Sequence, residues 1–574
     1  MAENAPRSNE NDVILRPPLY PFFVPVDRSF GVLNPRFQFH HRPGVFPYNQ
    51  PPPVLLLPAP TPVVVSHSGC GWSPFLFPME AESSSISLLK LMDNEGLLPS
   101  AEEEEKRRNV ILSLTKIVAT WAKKVAWQRQ LRREQIGATS ATILTYGSYG
   151  LGVYGPESDI DALCVGPFFA TMADDFFIVL RNMFKSRPEV SDIHCVKDAK
   201  VPLMRFKFDG ISVDLPYAQL KLLTIPDNLD VLNPFFLNNI DETSWKSLSG
   251  VRANQQILQL VPNLENFQSM LRCVKLWAKR RGVYGNLNGF LGGIHIAILA
   301  AFICQNHPNA NISILLSIFF STFATWPWPT PVMLQVGTIS LARNVNEPRS
   351  FMPICLPCSQ NEYCHSNITR STFYKIRAEL LRGHGLTKDV LKPDFDWKSV
   401  FEPFPYTKKY SRFVKVYLAA SDQDELGDWV GWVKSRFRSL LLKLELVQGF
   451  CDPCPREYVD TETSQPNVVF YWGLNPSRGN FKDIESVEED FLKNICRDYY
   501  GIPRKMSLSI ILASKLPINY AQNKSGKEKK SMKACWKIVD KPRVPAYSRH
   551  LPDYLVGYVA DTNGDTKSHG DGHC

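Results

Sequence analysis

Residues 146–163 read Tyr146-Gly147-Ser148-Tyr149-Gly150-Leu151-Gly152-Val153-Tyr154-Gly155-Pro156-Glu157-Ser158-Asp159-Ile160-Asp161-Ala162-Leu163. A Gly-Ser turn, where backbone N–H groups can approach a phosphate, stands eleven residues ahead of an Asp-x-Asp pair. The run from Asp159 to Val165 predicts a strand, and alternate side chains of a strand share a face. Asp159 and Asp161 therefore point the same way. Further on, Ile211-Ser212-Val213-Asp214-Leu215 predicts another strand, with an acid where a buried apolar residue would be ordinary.

Three clustered carboxylates repel unless cations neutralise them, and hard divalent ions prefer oxygen ligands, so Mg²⁺ or Mn²⁺ is the expected occupant of Asp159, Asp161 and Asp214. In a two-metal site one ion activates an attacking hydroxyl and the other stabilises the leaving pyrophosphate. Asp214 is expected to assist the attacking 3′-hydroxyl, while Tyr146, Gly147 and Ser148 sit where the β- and γ-phosphates would lie. Singly these signals are weak, because Gly-Ser is usually only a turn and Asp-x-Asp is often a solvated strand edge. Their order and spacing together describe metal-dependent nucleotidyl transfer.

Outward from this stretch the pattern alternates between strand and helix. Upstream, Ser100 with Glu103 predicts a capping box, followed by a buried helical face at Ile111, Leu114, Ile117, Val118, Trp121 and Val125. Downstream, 203–208 and 211–217 predict strands joined at Asp209-Gly210 by a tight hairpin turn. Helical spacing returns over 253–325, with Asn263 capping Leu264–Arg281 and Gly282 as the stop. A third block begins near 400, with a strand over 411–419, an amphipathic helix over 422–446 and a strand over 468–472. The expected organisation is a Pro-rich extension 1–65, a catalytic domain 66–225, a helical central domain 226–398, a small α/β module 399–550 and a tail 551–574.

The chain has 574 residues, 44% of them apolar, enough for several cores at about 150 residues per domain. No apolar run approaches the roughly 18 residues of a membrane span, and Met1-Ala2-Glu3-Asn4 does not open a secretion signal, so a soluble intracellular protein is expected. The thirteen cysteines are expected as thiols. Cys355, Cys358 and Cys364-His365, and separately Cys451 and Cys454, have zinc-like spacing, but the groups are far apart and no zinc is expected. Net charge is +9, and residues 497–550 hold 13 basic against 3 acidic residues with interleaved aromatics, which suits a phosphate backbone.

With these motifs in place, the chain resembles eukaryotic poly(A) polymerases of the polymerase-beta-like nucleotidyltransferase superfamily, and most of all a short plant isoform. Beyond the acids, the resemblance rests on several blocks in order: Phe208-Asp209-Gly210-Ile211, Leu260-Val261-Pro262-Asn263, Lys275-Leu276-Trp277-Ala278-Lys279-Arg280, Gly289-Phe290-Leu291-Gly292-Gly293, Trp326-Pro327-Trp328-Pro329 and Met352-Pro353-Ile354. It covers about residues 85–450. It implies an α+β multidomain fold with a polymerase-beta-like palm, a helical middle domain and a C-terminal domain like an RNA-recognition motif. It implies template-independent addition of adenylate from ATP to an RNA 3′ end in messenger RNA polyadenylation. Lys275 and Tyr284 would bind the ATP phosphates, and Gly293 and Ile294 would line the nucleotide. A monomer, recruited by cleavage and polyadenylation factors in the nucleus or the cytoplasm, is the implied context.

Four positions depart from the family pattern. Gly150 stands where Arg is usual, Tyr154 where His is usual, Ser249 where Asn is usual, and Leu356 or a neighbour where Thr is usual. Losing donors around a base weakens discrimination rather than phosphoryl transfer. A terminal uridylyltransferase or another RNA 3′ nucleotidyltransferase therefore stands as the alternative enzyme. The alternative of another class is an inactive RNA-binding protein, against which the three retained acids argue.

Overall fold

A computed structural model describes residues 78–334, 350–358, 362–476, 484–497, 499 and 505–517. The Pro-rich 1–65, most of the basic 497–550 stretch and the tail 551–574 lie outside the described residues. Helix α1 covers Pro78–Asn94 and α2 covers Ala101–Gln128. The predicted capping box opens α2: Glu103 N–H donates to the Ser100 hydroxyl at 3.2 Å and Ser100 N–H to the Glu103 carboxylate at 2.8 Å. The face of Leu114, Ile117, Val118, Trp121 and Val125 is buried against a sheet, Trp121 meeting Tyr217 edge-on at 5.9 Å.

That sheet has five strands, β1 (Thr142–Tyr146), β2 (Ile160–Gly166), β3 (Val190–Val196), β4 (Leu203–Phe208) and β5 (Ile211–Gln219), in the order β1-β2-β5-β4-β3. β2 and β5 run parallel, and the other neighbours pair antiparallel. Asp209 and Gly210, both at positive φ, make the β4–β5 turn expected from their chemistry. Strand β3 is not predicted by the sequence. Its Val-Ser-Asp-Ile-His-Cys-Val run lies at the sheet edge and buries little, so it carries no clean apolar alternation.

The other sheet face packs Leu163, Val165 and Ala218 against Leu248 and Val251 of α3 (Glu242–Leu260). Next come α4 (Leu264–Arg280), α5 (Gly293–Asn306), α6 (Ile312–Thr325) and α7 (Arg370–Thr387), which share a core around Trp277, Phe319 and Phe320. Asn263 caps α4 by accepting from Asn266 N–H at 3.0 Å, and Gly282 follows its end at φ 66°, both as expected.

The last body runs β6 (Arg412–Ala419), α8 (Gln423–Lys434), α9 (Phe437–Gln448), β7 (Gly449–Pro453), β8 (Asn467–Pro476), α10 (Ile484–Arg497) and β9 (Lys505–Leu512). The single helix predicted over 422–446 is broken at Ser435-Arg436, where the Ser435 hydroxyl donates to the Trp432 carbonyl at 2.6 Å and competes with the helix ladder. The antiparallel order β7-β8-β6-β9 gives ferredoxin-like connectivity. Part of the basic 497–550 stretch is thus a sheet strand.

Both faces of this sheet are covered. Val414, Val416, Phe470 and Trp472 meet α8 and α9, while Phe413, Tyr417, Val469 and Tyr471 lie under Tyr406, Tyr410 and Tyr458. An RNA-recognition motif stacks bases on the aromatics of its open sheet face. Here the chain's own residues occupy that face. A buried network fastens the sheet to the helical body: Lys375 of α7 donates to Asp452 of β7 and to the Tyr406 hydroxyl, each at 2.8 Å, and the Tyr410 hydroxyl donates to Asp452 at 2.8 Å.

Candidate active site

The sheet register sets four polar residues in one row: Tyr146 of β1 opposite Asp161 of β2, Asp161 opposite Asp214 of β5, and Asp214 opposite Arg205 of β4. Asp159 precedes β2 rather than lying within it, yet it joins the cluster. Carboxylate oxygens of Asp159, Asp161 and Asp214 lie within 4.8 Å of one another. Among the described residues no other trio of acids, histidines or cysteines converges in this way, Cys355, Cys358 and Cys364 included. Burial pushes Asp161 up to about 7, reinforced by Asp159 and Asp214, with Lys275 and Arg205 opposing. Three converging carboxylates, of which only Asp214 is paired with a cation among the described residues, offer oxygen donors that fit a hard divalent cation.

Arg205 was not a candidate from sequence. It holds Asp214 with a fork, Nε to Oδ1 at 2.7 Å and Nη2 to Oδ2 at 2.6 Å. Its signal was the alternation of Leu203-Met204-Arg205-Phe206-Lys207-Phe208, which buries Met204, Phe206 and Phe208 and turns Arg205 outward.

After β1 the chain makes one helical turn, Gly147–Gly150. Gly147 sits at φ 64°, and a Cβ there would stand 1.9 Å from Asp161 Oδ2, so only glycine lets the backbone abut the carboxylate. Helices α3 and α4 hold this turn by its carbonyls. Asn254 donates to Gly147 O at 3.0 Å, Gln268 to Leu151 O at 3.0 Å, and Arg272 to Gly152 O. Arg107 of α2 donates to the carbonyls of Pro156 at 2.9 Å and Ser158 at 2.7 Å, immediately ahead of Asp159. These tethers were invisible in the sequence because their partners are backbone atoms.

The departures at Gly150 and Tyr154 are built into the same turn. A Cβ on Gly150 would lie 2.9 Å from Thr145 O and 3.0 Å from Asn254 Nδ2, a space too tight for arginine without a shift. Tyr154 packs against Tyr149 at 4.9 Å, with the Arg107 guanidinium 5.3 Å from its ring. Ser249 donates to Lys246 O of its own helix at 2.6 Å, and Leu356 packs on the helical core.

Lys275 of α4 and Tyr284 just beyond it complete the assembly. Burial, helped by Lys279, pushes the Lys275 ammonium down to about 8, while Asp159 and Asp161 pull the other way. Burial and the same two acids raise the Tyr284 phenol. Gly293 is the first residue of α5, and a Cβ there would lie 3.5 Å from the Tyr284 hydroxyl, so the two positions are neighbours; Ile294 is partly buried on the helical core. A cavity of about 150 Å³ continues from Tyr284 and Lys279 to Arg456 and Tyr458, walled by Phe404 and Tyr406.

Comparison with known proteins gives matches along most of this chain. Residues 78–261 match the poly(A) polymerase nucleotidyltransferase domain, and residues 266–403 the poly(A) polymerase central domain. Nuclear poly(A) polymerase 3 of Arabidopsis thaliana is 63% identical over 85% of this chain and 96% of that protein. Poly(A) polymerase PAPalpha of Candida albicans is 34% identical over 76% of this chain and 81% of its own length. The match to nuclear poly(A) polymerase 2 of Arabidopsis thaliana, at 40% identity, covers 69% of this chain but about half, 51%, of that longer relative.

Proposed function

The chain belongs to the poly(A) polymerase family, and from that premise we propose that it extends RNA 3′ ends with adenylate from ATP, without a template. The observation that carries this reading is the parallel register that sets Asp161 beside Asp214, with Asp159 within 4.8 Å, facing Lys275 and Tyr284 of the helical body. Asp159, Asp161 and Asp214 are the residues suited to hold Mg²⁺ or Mn²⁺. A divalent ion bound there supplies Lewis-acid activation of the 3′-hydroxyl and charge neutralisation at the pyrophosphate.

The chain's own residues do the rest. Gly147 and Ser148, beside Tyr146, present backbone N–H groups to the β- and γ-phosphates, and Asn254, Gln268 and Arg272 fix the turn against them. Lys275 neutralises phosphate charge and Tyr284 donates to it. These groups come from the helical body, so the phosphate site depends on that body being held against the sheet, as Gln268 and Arg272 of α4, the helix of Lys275, hold it here. Gly293 and Ile294 border the nucleotide at the start of α5. Asp214 receives the proton of the attacking hydroxyl.

RNA contacts the chain at the cavity of Lys279, Arg456 and Tyr458, which borders Tyr284 and combines cations with aromatics. The covered sheet face of the C-terminal body supports this groove over sheet-face stacking. No helix among the described residues is long and apolar enough to cross a membrane. A nuclear site of action is supported by the relatives named as nuclear poly(A) polymerases.

The test is extension of a labelled RNA with each nucleoside triphosphate offered separately. ATP is expected to be used best, and Asp161→Ala to extend nothing while still binding RNA. Faster use of UTP overturns the nucleotide assignment, and tailing by Asp161→Ala overturns the site.

A further inference from the structure

Both oxygens of Asp214 are engaged by Arg205, whose side chain is 58% exposed while that of Asp214 is 16% exposed. An ion ligated by Asp214 must take at least one of those oxygens. The pair is not needed to join the strands, because β4 and β5 are already paired along six positions from Leu203 to Phe208. The guanidinium faces solvent while the carboxylate it forks is largely buried, so the fork acts on Asp214 more than on the strands. Its position inside the row of carboxylates is therefore what needs explaining. We propose that Arg205 is the resident counter-ion of the acidic cradle, competing with divalent metal for Asp214 and thereby setting the affinity of metal loading.

On this assignment Arg205 is a positioning residue. It compensates Asp214 while the three acids face one another, and its release accompanies ligation. The exchange leaves a planar, forked cation at the solvent side of the cradle. The same strand supplies the control. Lys207, the next outward residue of β4, donates to Asp192 at 2.5 Å in an ion pair whose acid is more exposed, 55% against 16% for Asp214, and is not one of the three clustered carboxylates.

The inference rests on the reading of Asp159, Asp161 and Asp214 as metal ligands, and the experiment separates the two. The full chain is titrated calorimetrically with Mn²⁺ alone, without nucleotide. Arg205→Gln is expected to tighten Mn²⁺ binding roughly three- to tenfold, the discounted worth of an exposed forked pair. Lys207→Gln is expected to leave it unchanged. Arg205→Lys, which keeps the charge but cannot make the fork, is expected to fall between wild type and Arg205→Gln. Equal or weaker binding by Arg205→Gln overturns the counter-ion role. If that variant does not fold, Arg205→Lys decides in the same way: tighter binding than wild type supports the role, and equal or weaker binding removes it. Asp161→Ala binding Mn²⁺ like wild type would instead sink the metal cradle itself.

Discussion

Replacing Gly147 with alanine tests the closest contact in the site. The backbone there is at φ 64°, which costs a non-glycine residue about 1–2 kcal/mol. The larger effect is steric. Ordinary contact begins at 3.4 Å, whereas the new methyl would stand 1.9 Å from Asp161 Oδ2, so roughly 1.5 Å must be found. Asp161 is held in the sheet between β1 and β5, and the turn is held by Asn254, Gln268 and Arg272. Whichever yields, a reacting group moves by more than 1 Å, and displacement on that scale costs about 10²-fold in rate. Gly147→Ala is therefore expected to lose about 10²-fold in kcat for primer extension, while its unfolding free energy in urea falls by at least the ~1–2 kcal/mol of backbone strain. Gly96→Ala is the matched control: φ 63°, with nothing within 4 Å of the new Cβ. It should keep its kcat. A Gly147→Ala enzyme turning over like wild type, or a Gly96→Ala enzyme equally crippled, contradicts the steric account.

Three further outcomes are expected. His295 is buried, its Nδ1 accepts from Gly292 N–H at 3.0 Å, and burial together with His365 pushes it down to about 4. The unfolded chain binds this proton near pH 6.5 and the folded one near 4, so stability is intact above about 6.5 and declines as pH falls towards 4. From pH 7 to 4.5 denaturation should show wild type losing about 2–3 kcal/mol more than His295→Asn, and parallel pH profiles would contradict this. Asp452→Asn leaves Lys375 buried without its counter-charge and should cost about 3–5 kcal/mol by urea denaturation, a value below 1 excluding a fastening role. Arg456→Ala should weaken RNA binding evenly across sequences and lower the salt-dependence slope by about 1, whereas an unchanged slope would place the RNA elsewhere.

The clustering of the acids and the position of the Gly-Ser turn beside them were legible because chemistry dictates residue type there: carboxylates two residues apart, and glycine where backbone meets carboxylate. Capped helices were legible for the same reason, as Ser100, Glu103 and Asn263 illustrate. Residues that act through carbonyls, Arg107, Asn254, Gln268 and Arg272, left no pattern, since their partners carry no side-chain code. Arg205 needed the register. Nothing in the sequence announces that β5, rather than β3 or β4, lies beside β2, and without that neighbourhood a surface arginine is only a surface arginine. The covering of the C-terminal sheet was equally hidden, because alternating aromatics read alike whether they await a base or a neighbouring loop.

The parallel pairing of β2 with β5 also governs when the site can exist. Asp161 and Asp214 are about fifty residues apart in sequence, and a parallel pair has no hairpin to nucleate it. The β1–β2 and β4–β5 pairs join neighbouring segments and can form early, each carrying one of the two aspartates into a different piece of nascent structure. Their meeting is a long-range closure that costs more chain entropy than either antiparallel pair, and Lys275 lies on a helix later still in the chain. Asp159 and Asp161 are neighbours from the start, but Asp214 joins them only through this closure. By contact order, then, the complete cluster is expected to form late, and a chain that has only its local pairs carries the motif without the third acid.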